Sequence, residues 1–370
     1  MKKALLALAL ALVSVFTLVA CGEKTYEIAM VTDSGGIDDK SFNQGTWEGI
    51  KEYAIENDKS YKYYKPSEVS DAAYLAAIDL AVQGGAQIVI TPGYLFETAI
   101  YAAQTTYPEV KFVLIDGEPH TADYATYKTE ENTLNILFDE HEVGFFAGYA
   151  LVYGGYTNLG FFGGMSVPAV QRFGIGWVAG AYYAADERDV TLTFDADHYT
   201  YLGSFAPTPE AQTTATAWYN AGVSVIFAAA GGAGSSAMLA AEEGTNKWVV
   251  GVDKDQSGDS DAVITSALKG VGEAAIAALK DFYEGTWDGG RTISLGAAEG
   301  GVSLPADFSR FGTNAAAVKT AYDAVFAKVV AGTIVVPTND KASLAAFLTT
   351  LGVSNAALVE KAEPTPAPAE

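Results

Sequence analysis

The chain is poor in cysteine and in basic side chains. Its 370 residues include one cysteine and 22 Lys plus Arg against 45 Asp plus Glu, which gives a formal net charge of −23. A single cysteine excludes an internal disulfide. Binding to nucleic acid needs clustered Lys and Arg, and the few arginines are scattered: Arg172, Arg188, Arg291 and Arg310. We therefore expect no nucleic-acid partner.

Motifs for metal, phosphate and catalytic chemistry are also lacking. The segment 253–258 begins like a calcium loop, but its twelfth position is Ile264 instead of the bidentate Glu. The segment 35–41 ends like a phosphate loop without the required glycine spacing. No serine occupies a nucleophile elbow. The histidines fit no metal-ligand spacing: His120, His141 and His198. We expect no metal, no cofactor and no enzyme.

The N-terminus has the pattern of a secretory signal. Lys2 and Lys3 precede an apolar run from 4 to 20, which predicts a signal peptide over 1–20. The following Leu18-Val19-Ala20-Cys21-Gly22 is similar to a bacterial lipobox, in which the cysteine carries the lipid anchor. At the other end, 361–370 is a Pro/Ala-rich tail without core-forming residues, and we expect it to be disordered.

Between these ends, short apolar runs alternate with helical stretches. Apolar runs at 28–31, 88–90 and 112–115 predict buried strands, and the stretches 41–57 and 99–106 predict helices. Strands and helices in alternation are typical of α/β folds with parallel sheets. The apolar fraction of 49 % and the chain length are enough for two lobes, each with its own core.

One spacing recurs in three segments. Tyr61 and His198 begin similar aromatic runs, and Gly85 and Gly222 begin similar strands, with 137 positions between the members of each pair. Asp116 and Asp253 follow a third pair of strands at the same spacing. We therefore expect two lobes of the same topology.

The two aspartates therefore end equivalent strands. Ligands of open parallel sheets bind beyond the carboxyl ends of the strands, so Asp116 and Asp253 are candidates for a cleft between the lobes. An aspartate after a strand is also a common helix cap or turn former, and that alternative stays open for each residue taken singly.

The loop after the first strand is the most informative segment. Gly35 and Gly36 permit a tight turn, and the next helix begins near Phe42. Phe42 would offer a flat apolar face to a ligand, and Asn43 both a donor and an acceptor.

Several motifs together resemble one family. The run 33–49 is similar to the signature of the basic membrane protein family of substrate-binding lipoproteins, also called the PnrA-like or Med family, which bind nucleosides for ABC importers. The resemblance covers roughly residues 26–337. It extends to further motifs at 107–112, 172–177, 229–234, 251–256 and 265–269.

The resemblance implies a fold of the periplasmic-binding-protein type (type I). Two similar doubly wound lobes with parallel sheets would enclose a hinged cleft. We expect the first lobe at 26–145 with a returning segment at about 255–290. The second lobe would comprise 146–254 and about 291–352.

The resemblance also implies site roles. Phe42 would stack on the base while Asp33 and Asn43 read its edge. The second aromatic face would be Trp177 or Phe173, either of which could instead belong to the core. The remaining implied contacts are sugar hydroxyls on Asp116 and Asp253, close backbone approach at Gly231 and Gly232, and Lys269 as partner of the carboxylates or of the sugar.

The function implied is capture of nucleosides, with purine nucleosides favoured, and delivery to an ABC permease. The chain would be a monomer held by its lipid on the extracytoplasmic face of a bacterial membrane. Three alternatives remain: a receptor of the same fold for a sugar or signalling molecule, a surface adhesin or immunogen, and a nucleoside hydrolase.

Overall fold

A computed structural model of the chain describes residues 25–338 and 340–363. The predicted signal peptide and Cys21 lie outside the described residues. Of the predicted tail, Lys361 and Ala362 belong to the last helix, so this part of the prediction is wrong, and 364–370 are not described.

The first lobe is built on a parallel sheet. Within the described residues its six strands lie in the order β11-β5-β4-β3-β1-β2, all parallel. The strands are β1 Ile28–Val31, β2 Tyr61–Tyr64, β3 Ile88–Pro92, β4 Lys111–Ile115, β5 Thr133–Phe138 and β11 Arg291–Leu295. Three helices follow individual strands of this sheet: α1 Phe42–Glu56, α2 Asp71–Gln83 and α3 Glu97–Thr106. The next helix, α4 Glu140–Tyr153, follows β5 but lies beyond the first crossing and packs in the second lobe.

The second lobe repeats this plan. Its six described strands lie in the order β12-β10-β9-β8-β6-β7, parallel except for the antiparallel pair β10 and β12. The strands are β6 Leu159–Gly163, β7 Tyr199–Tyr201, β8 Val225–Ala229, β9 Trp248–Asp253, β10 Val263–Lys269 and β12 Val302–Ser303. The helices of this lobe after α4 are α5 Pro168–Glu187, α6 Pro209–Asn220, α7 Gly234–Glu242, α9 Ala315–Val330, α10 Lys341–Thr350 and α11 Ala356–Ala362, while α8 Val271–Glu284 packs in the first lobe.

The strand orders of the two sheets correspond one to one. β2, β3 and β4 of the first sheet occupy the places of β7, β8 and β9 in the second, which are the segments related by the 137-residue spacing. The predicted α/β class with two similar lobes is confirmed. Central strands such as β1 and β8 are apolar throughout because helices cover both faces of the sheet.

The chain crosses between the lobes three times within residues 25–338. It leaves the first sheet after β5, returns after β10, and leaves again after β11. The expectation that 255–290 belongs to the first lobe is wrong for β10, because this strand pairs in parallel with β9. The expectation fits α8, which packs on α1 of the first lobe. The expected assignment of 291–352 to the second lobe is wrong for β11, because this strand pairs with β5 in the first sheet. Pairing with a neighbouring strand satisfies backbone groups that a buried strand could not leave open.

Among residues 25–338 and 340–363, no helix has both the length and the apolar character needed to cross a bilayer.

Candidate ligand-binding site

A cavity of about 740 Å³, including its open mouth, lies between the lobes at the carboxyl ends of their strands. The structure brings nine of the ten predicted ligand-binding residues together in its wall. They are Asp33, Phe42, Asn43, Asp116, Phe173, Gly231, Gly232, Asp253 and Lys269.

The two equivalent aspartates share an unusual backbone conformation. Asp116 has φ 63° and Asp253 has φ 66°, a left-handed conformation that Asp tolerates better than most residues. Each one turns the chain at the end of its strand, β4 or β9. The shared geometry places one carboxylate from each lobe in the same cavity.

Asp116 is paired with a cation from the other lobe. Lys269, the last residue of β10, donates hydrogen bonds to Asp116 Oδ2 and to Glu140 Oε1, the latter at 2.9 Å. Glu140 Oε2 in turn accepts from Arg172 Nε at 2.6 Å. Glu140 is fully buried and Lys269 is 3 % exposed, so these ionic contacts are shielded from water.

These charged side chains change one another's pKa. Burial alone would lower the pKa of Lys269, but Asp116, Glu140 and Asp253 raise it above its usual range. Burial raises the pKa of Asp116 to about 7, against the opposing effect of the Lys269 charge. Burial would also raise the pKa of Glu140, yet Arg172 and Lys269 hold it below its ordinary value. Of the two roles expected for Lys269, the structure shows the pairing with carboxylates.

Asp253 has a neutral partner instead. Its Oδ2 accepts a hydrogen bond of 2.5 Å from Ser41 Oγ, which belongs to the first lobe. Burial raises the pKa of Asp253, while Lys269 and Ser41 favour its ionised form. Two further contacts join the lobes nearby: Gln256 Nε2 donates to the Lys40 carbonyl at 2.8 Å, and Lys254 pairs with Glu48 at 3.0 Å. The lobes are therefore closed on each other.

The loop after β1 is held by Asn43. Its amide nitrogen donates to Asp33 Oδ1 at 2.8 Å and to Asp39 Oδ2 at 2.9 Å, and its oxygen accepts from the Asp33 amide at 3.2 Å. Asn43 therefore orients Asp33, and both amide hydrogens are engaged within the protein. Burial raises the pKa of Asp33 to about 6, against the hydrogen bonds from Gly35 and Asn43.

The aromatic residues divide between cavity and core. Phe42 and Phe173 line the cavity, and Lys269 Nζ lies 4.8 Å and 5.8 Å from their ring centres. The prediction of Trp177 as a second stacking face does not fit its position. It is fully buried in the second lobe, 5.4 Å from the Phe227 ring, because it lies one helical turn beyond Phe173 and therefore farther from the start of α5, which borders the cavity.

The structure adds wall residues that the sequence reading missed. Phe205 lines the cavity, and its carbonyl accepts a hydrogen bond from the Ala233 amide in the turn that contains Gly231 and Gly232. A Cβ on Gly164 would lie 2.3 Å from the Phe205 ring, so only glycine fits beneath it. The sequence feature that could have identified Phe205 is its position shortly after the carboxyl end of β7.

Four further residues of the site were not predicted as such from the sequence. Tyr94 and Asp39 line the cavity, Ser41 reaches Asp253, and Glu140 reaches Lys269. Across the described part of the chain, no group of three or more His, Cys, Asp or Glu side chains is arranged to hold a metal ion.

Comparison with known proteins agrees with this architecture. The family model described as ABC transporter substrate-binding protein PnrA-like matches residues 26–340. The ABC transporter nucleoside-binding protein BmpA of Lactococcus lactis subsp. cremoris is 30 % identical over 363 residues, covering 89 % of this chain and 99 % of the relative. Basic membrane protein A1 of Borrelia garinii is 31 % identical over 282 residues, covering 75 % and 79 %.

A solved structure of ABC transporter system solute-binding proteins from Aeropyrum pernix superposes with a TM-score of 0.73 at 24 % identity, covering 91 % of this chain and 99 % of that one. This likeness supports the two-lobed fold. From the family match and the relatives, the chain belongs to the PnrA-like family of ABC transporter substrate-binding proteins.

Proposed function

We propose that this protein captures nucleosides in the cavity between its lobes, favours purine nucleosides, and delivers them to an ABC permease. The observation that carries the proposal is the pair Asp116 and Asp253, which meet in one cavity with aromatic side chains in its wall. The name of the Lactococcus relative, a nucleoside-binding protein, agrees with it.

The wall chemistry suits a planar base joined to a diol. Phe42, with Phe205 as the second ring, provides apolar faces, and stacking of a base on an aromatic ring contributes ~1–3 kcal/mol in single-strand binders. A sugar hydroxyl that donates to a carboxylate contributes ~1.5–3 kcal/mol. Asp116 Oδ1 is buried and has no hydrogen-bond partner among the described residues, so it is available to such a hydroxyl.

The wall also favours an uncharged ligand. Asp33, Asp39, Asp116 and Asp253 line the cavity with Lys269 as the one cation among the described lining residues. Such an excess of carboxyl groups repels a phosphate group. We therefore expect nucleosides to bind and their 5′-phosphates to bind much more weakly.

Calorimetry on the purified protein tests the ligand class. Inosine, guanosine, adenosine and cytidine are titrated separately into protein first unfolded and refolded to remove any carried ligand. We expect saturable heat with the purine nucleosides and weaker heat with cytidine. Absence of heat with all four, on a sample with a cooperative unfolding transition, rejects the proposal.

The same samples test whether the protein only binds. Nucleoside incubated with a molar excess of protein is analysed for free base by chromatography. Recovery of intact nucleoside supports a binding role, whereas release of base would make the protein a nucleoside hydrolase.

The proposed membrane anchoring of the protein and its delivery of nucleosides to a permease are tested in cells. We expect Cys21→Ala to move the protein from the membrane fraction to the soluble extracytoplasmic fraction, and light scattering of the soluble form to give a monomer mass. Nucleoside uptake that is unchanged when the gene is deleted would reject the transport role and favour an adhesin.

A further inference from the structure

We propose that Glu140 and Arg172 are positioning residues that hold Lys269 in place and thereby set the recognition of the ligand's sugar hydroxyls. This inference rests on the proposed function. Neither side chain is among the residues that line the cavity, so each would act through Lys269.

The first observation is where the two partners lie in the chain. Glu140 begins α4 directly after the first crossing between the lobes, and Lys269 ends β10 directly before the second. Their 2.9 Å contact therefore ties two of the crossing segments together. The segment of the third crossing joins them, because the Gly270 amide donates to the Gly301 carbonyl at 2.9 Å.

The second observation is how completely Glu140 is used. Both of its oxygens bind cations, Lys269 on one and Arg172 on the other, and its side chain is fully buried. Neither oxygen is left free for a ligand, and Glu140 does not line the cavity. A buried carboxylate with two cationic partners has a fixed direction, and it fixes the direction of the ammonium group that it holds.

The third observation is the close packing of the two helices that carry Glu140 and Arg172. Glu140 lies on α4 and Arg172 on α5, and these helices touch through glycines. A Cβ on Gly176 would lie 1.9 Å from the His141 carbonyl oxygen, and one on Gly144 would lie 2.3 Å from the Phe173 carbonyl oxygen. The close backbone contact keeps the Arg172–Glu140 distance constant.

These contacts decide what Asp116 can offer a ligand. Lys269 has three N–H donors, and Glu140 takes one of them. Without the Glu140 charge, Asp116 and Asp253 alone would attract Lys269, and its ammonium would be free to move between them. The mobile ammonium would then compete with the sugar hydroxyls for the oxygens of Asp116 and Asp253, and the preference for a ligand that carries these hydroxyls would fall.

The test compares inosine with 2′,3′-dideoxyinosine, which has the same base without the two hydroxyls. The wild-type protein is expected to bind inosine at least about tenfold more tightly, since a hydrogen bond to a charged group is of that size. In Glu140→Gln the preference should fall to about threefold or less. Affinity for the dideoxynucleoside should change little, because the base contacts remain.

Two further variants make the result decisive. Glu140→Gln combined with Arg172→Met removes one charge of each sign, so it keeps the net charge of the cluster if the single variant folds poorly. It should show the same loss of sugar preference. Glu187→Gln is the control, because Glu187 also joins α4 to α5 by accepting from Tyr149 at 2.6 Å, at the opposite end of α5. It should keep the wild-type preference.

The outcomes separate the two proposals. If wild-type protein binds neither compound, the nucleoside function fails. If it binds and discriminates, but a folded Glu140 variant discriminates equally well, the positioning role is overturned. A uniform loss of affinity for both compounds also overturns it, because that result indicates a structural effect only.

Discussion

The two lobes share a strand order but bring different charges to the cavity. The first lobe contributes the carboxyl groups of Asp33, Asp39 and Asp116, whereas the second contributes Lys269 with Asp253 beside it. Closure therefore brings Lys269 onto Asp116. The shared topology of the two lobes therefore determines which strand ends meet in the cavity. The residue types at these strand ends determine the charges that attract one lobe to the other.

The two equivalent aspartates also differ in the charge of their partners. Asp116 and Asp253 have nearly the same φ, yet one is held by a cation and the other by the Ser41 hydroxyl. Removing each partner in turn measures how far the two halves of the site differ.

Loss of the cation should have the largest effect. In Lys269→Met the carboxylates of Asp116 and Glu140 stay buried without their shared partner, and breaking a buried ion pair in this way costs ~3–5 kcal/mol. Urea unfolding of the ligand-free protein measures the change. Lys247→Met is the control, because the hydrogen bond that Lys247 donates within the described residues goes to the neutral Val223 carbonyl, beside a contact with the Tyr219 ring, and its loss should cost less, at most ~1.5–3 kcal/mol. Equal losses in the two variants would contradict the assignment.

Removal of the hydroxyl partner should have a smaller effect, on closure. Ser41→Ala deletes the hydrogen bond that joins the first lobe to Asp253, and a hydrogen bond to a charged group contributes ~1.5–3 kcal/mol. We expect nucleoside affinity to fall roughly tenfold or more by calorimetry. Ser224→Ala removes a hydrogen bond to the Asn158 carbonyl at the far end of the second sheet, and it should leave affinity unchanged. Unchanged affinity in Ser41→Ala would show that this contact contributes nothing to binding.

The raised pKa of Asp33 predicts how the free energy of unfolding changes with pH. Its pKa of about 6 lies above its value of 3.8 in an unfolded chain, so its contribution to stability is fully present below about pH 4 and is lost as the pH rises through 6. For this partly buried side chain we expect a loss of ~1–2 kcal/mol between pH 4 and 7. Urea unfolding across this range should show a weaker pH dependence in Asp33→Asn. The same dependence in both proteins would contradict the prediction.

Much of this comparison could be predicted from local patterns in the sequence. The 137-residue spacing predicted the matched strands, and the strand ends predicted Asp116 and Asp253, because each strand is recognised from a short run of adjacent residues. Contacts between distant segments could not be predicted in this way. Glu140 is 129 residues from Lys269, and Trp177 differs from Phe173 only by lying one helical turn farther along the same face of α5, away from the cleft.

The return points of the chain were misplaced for a related reason. An apolar run such as 263–268 predicts a strand, but nothing in the run states which sheet it joins. That choice depends on pairing with β9, and therefore on the order of the whole second sheet.

The smallest expected effect lies at the rim of the cleft. Lys254 and Glu48 also join the lobes, at 3.0 Å, but their side chains are 28 % and 49 % exposed. Exposed pairs contribute ~0–1 kcal/mol and are screened by salt. Glu48→Gln should therefore weaken nucleoside binding less than about fivefold at low salt and less still at 0.5 M salt. The Ser41→Ala effect should persist at both salt concentrations, since its contact is buried. A salt-independent loss in Glu48→Gln as large as that of Ser41→Ala would mean that rim and interior contacts hold the lobes together equally, which their exposure argues against.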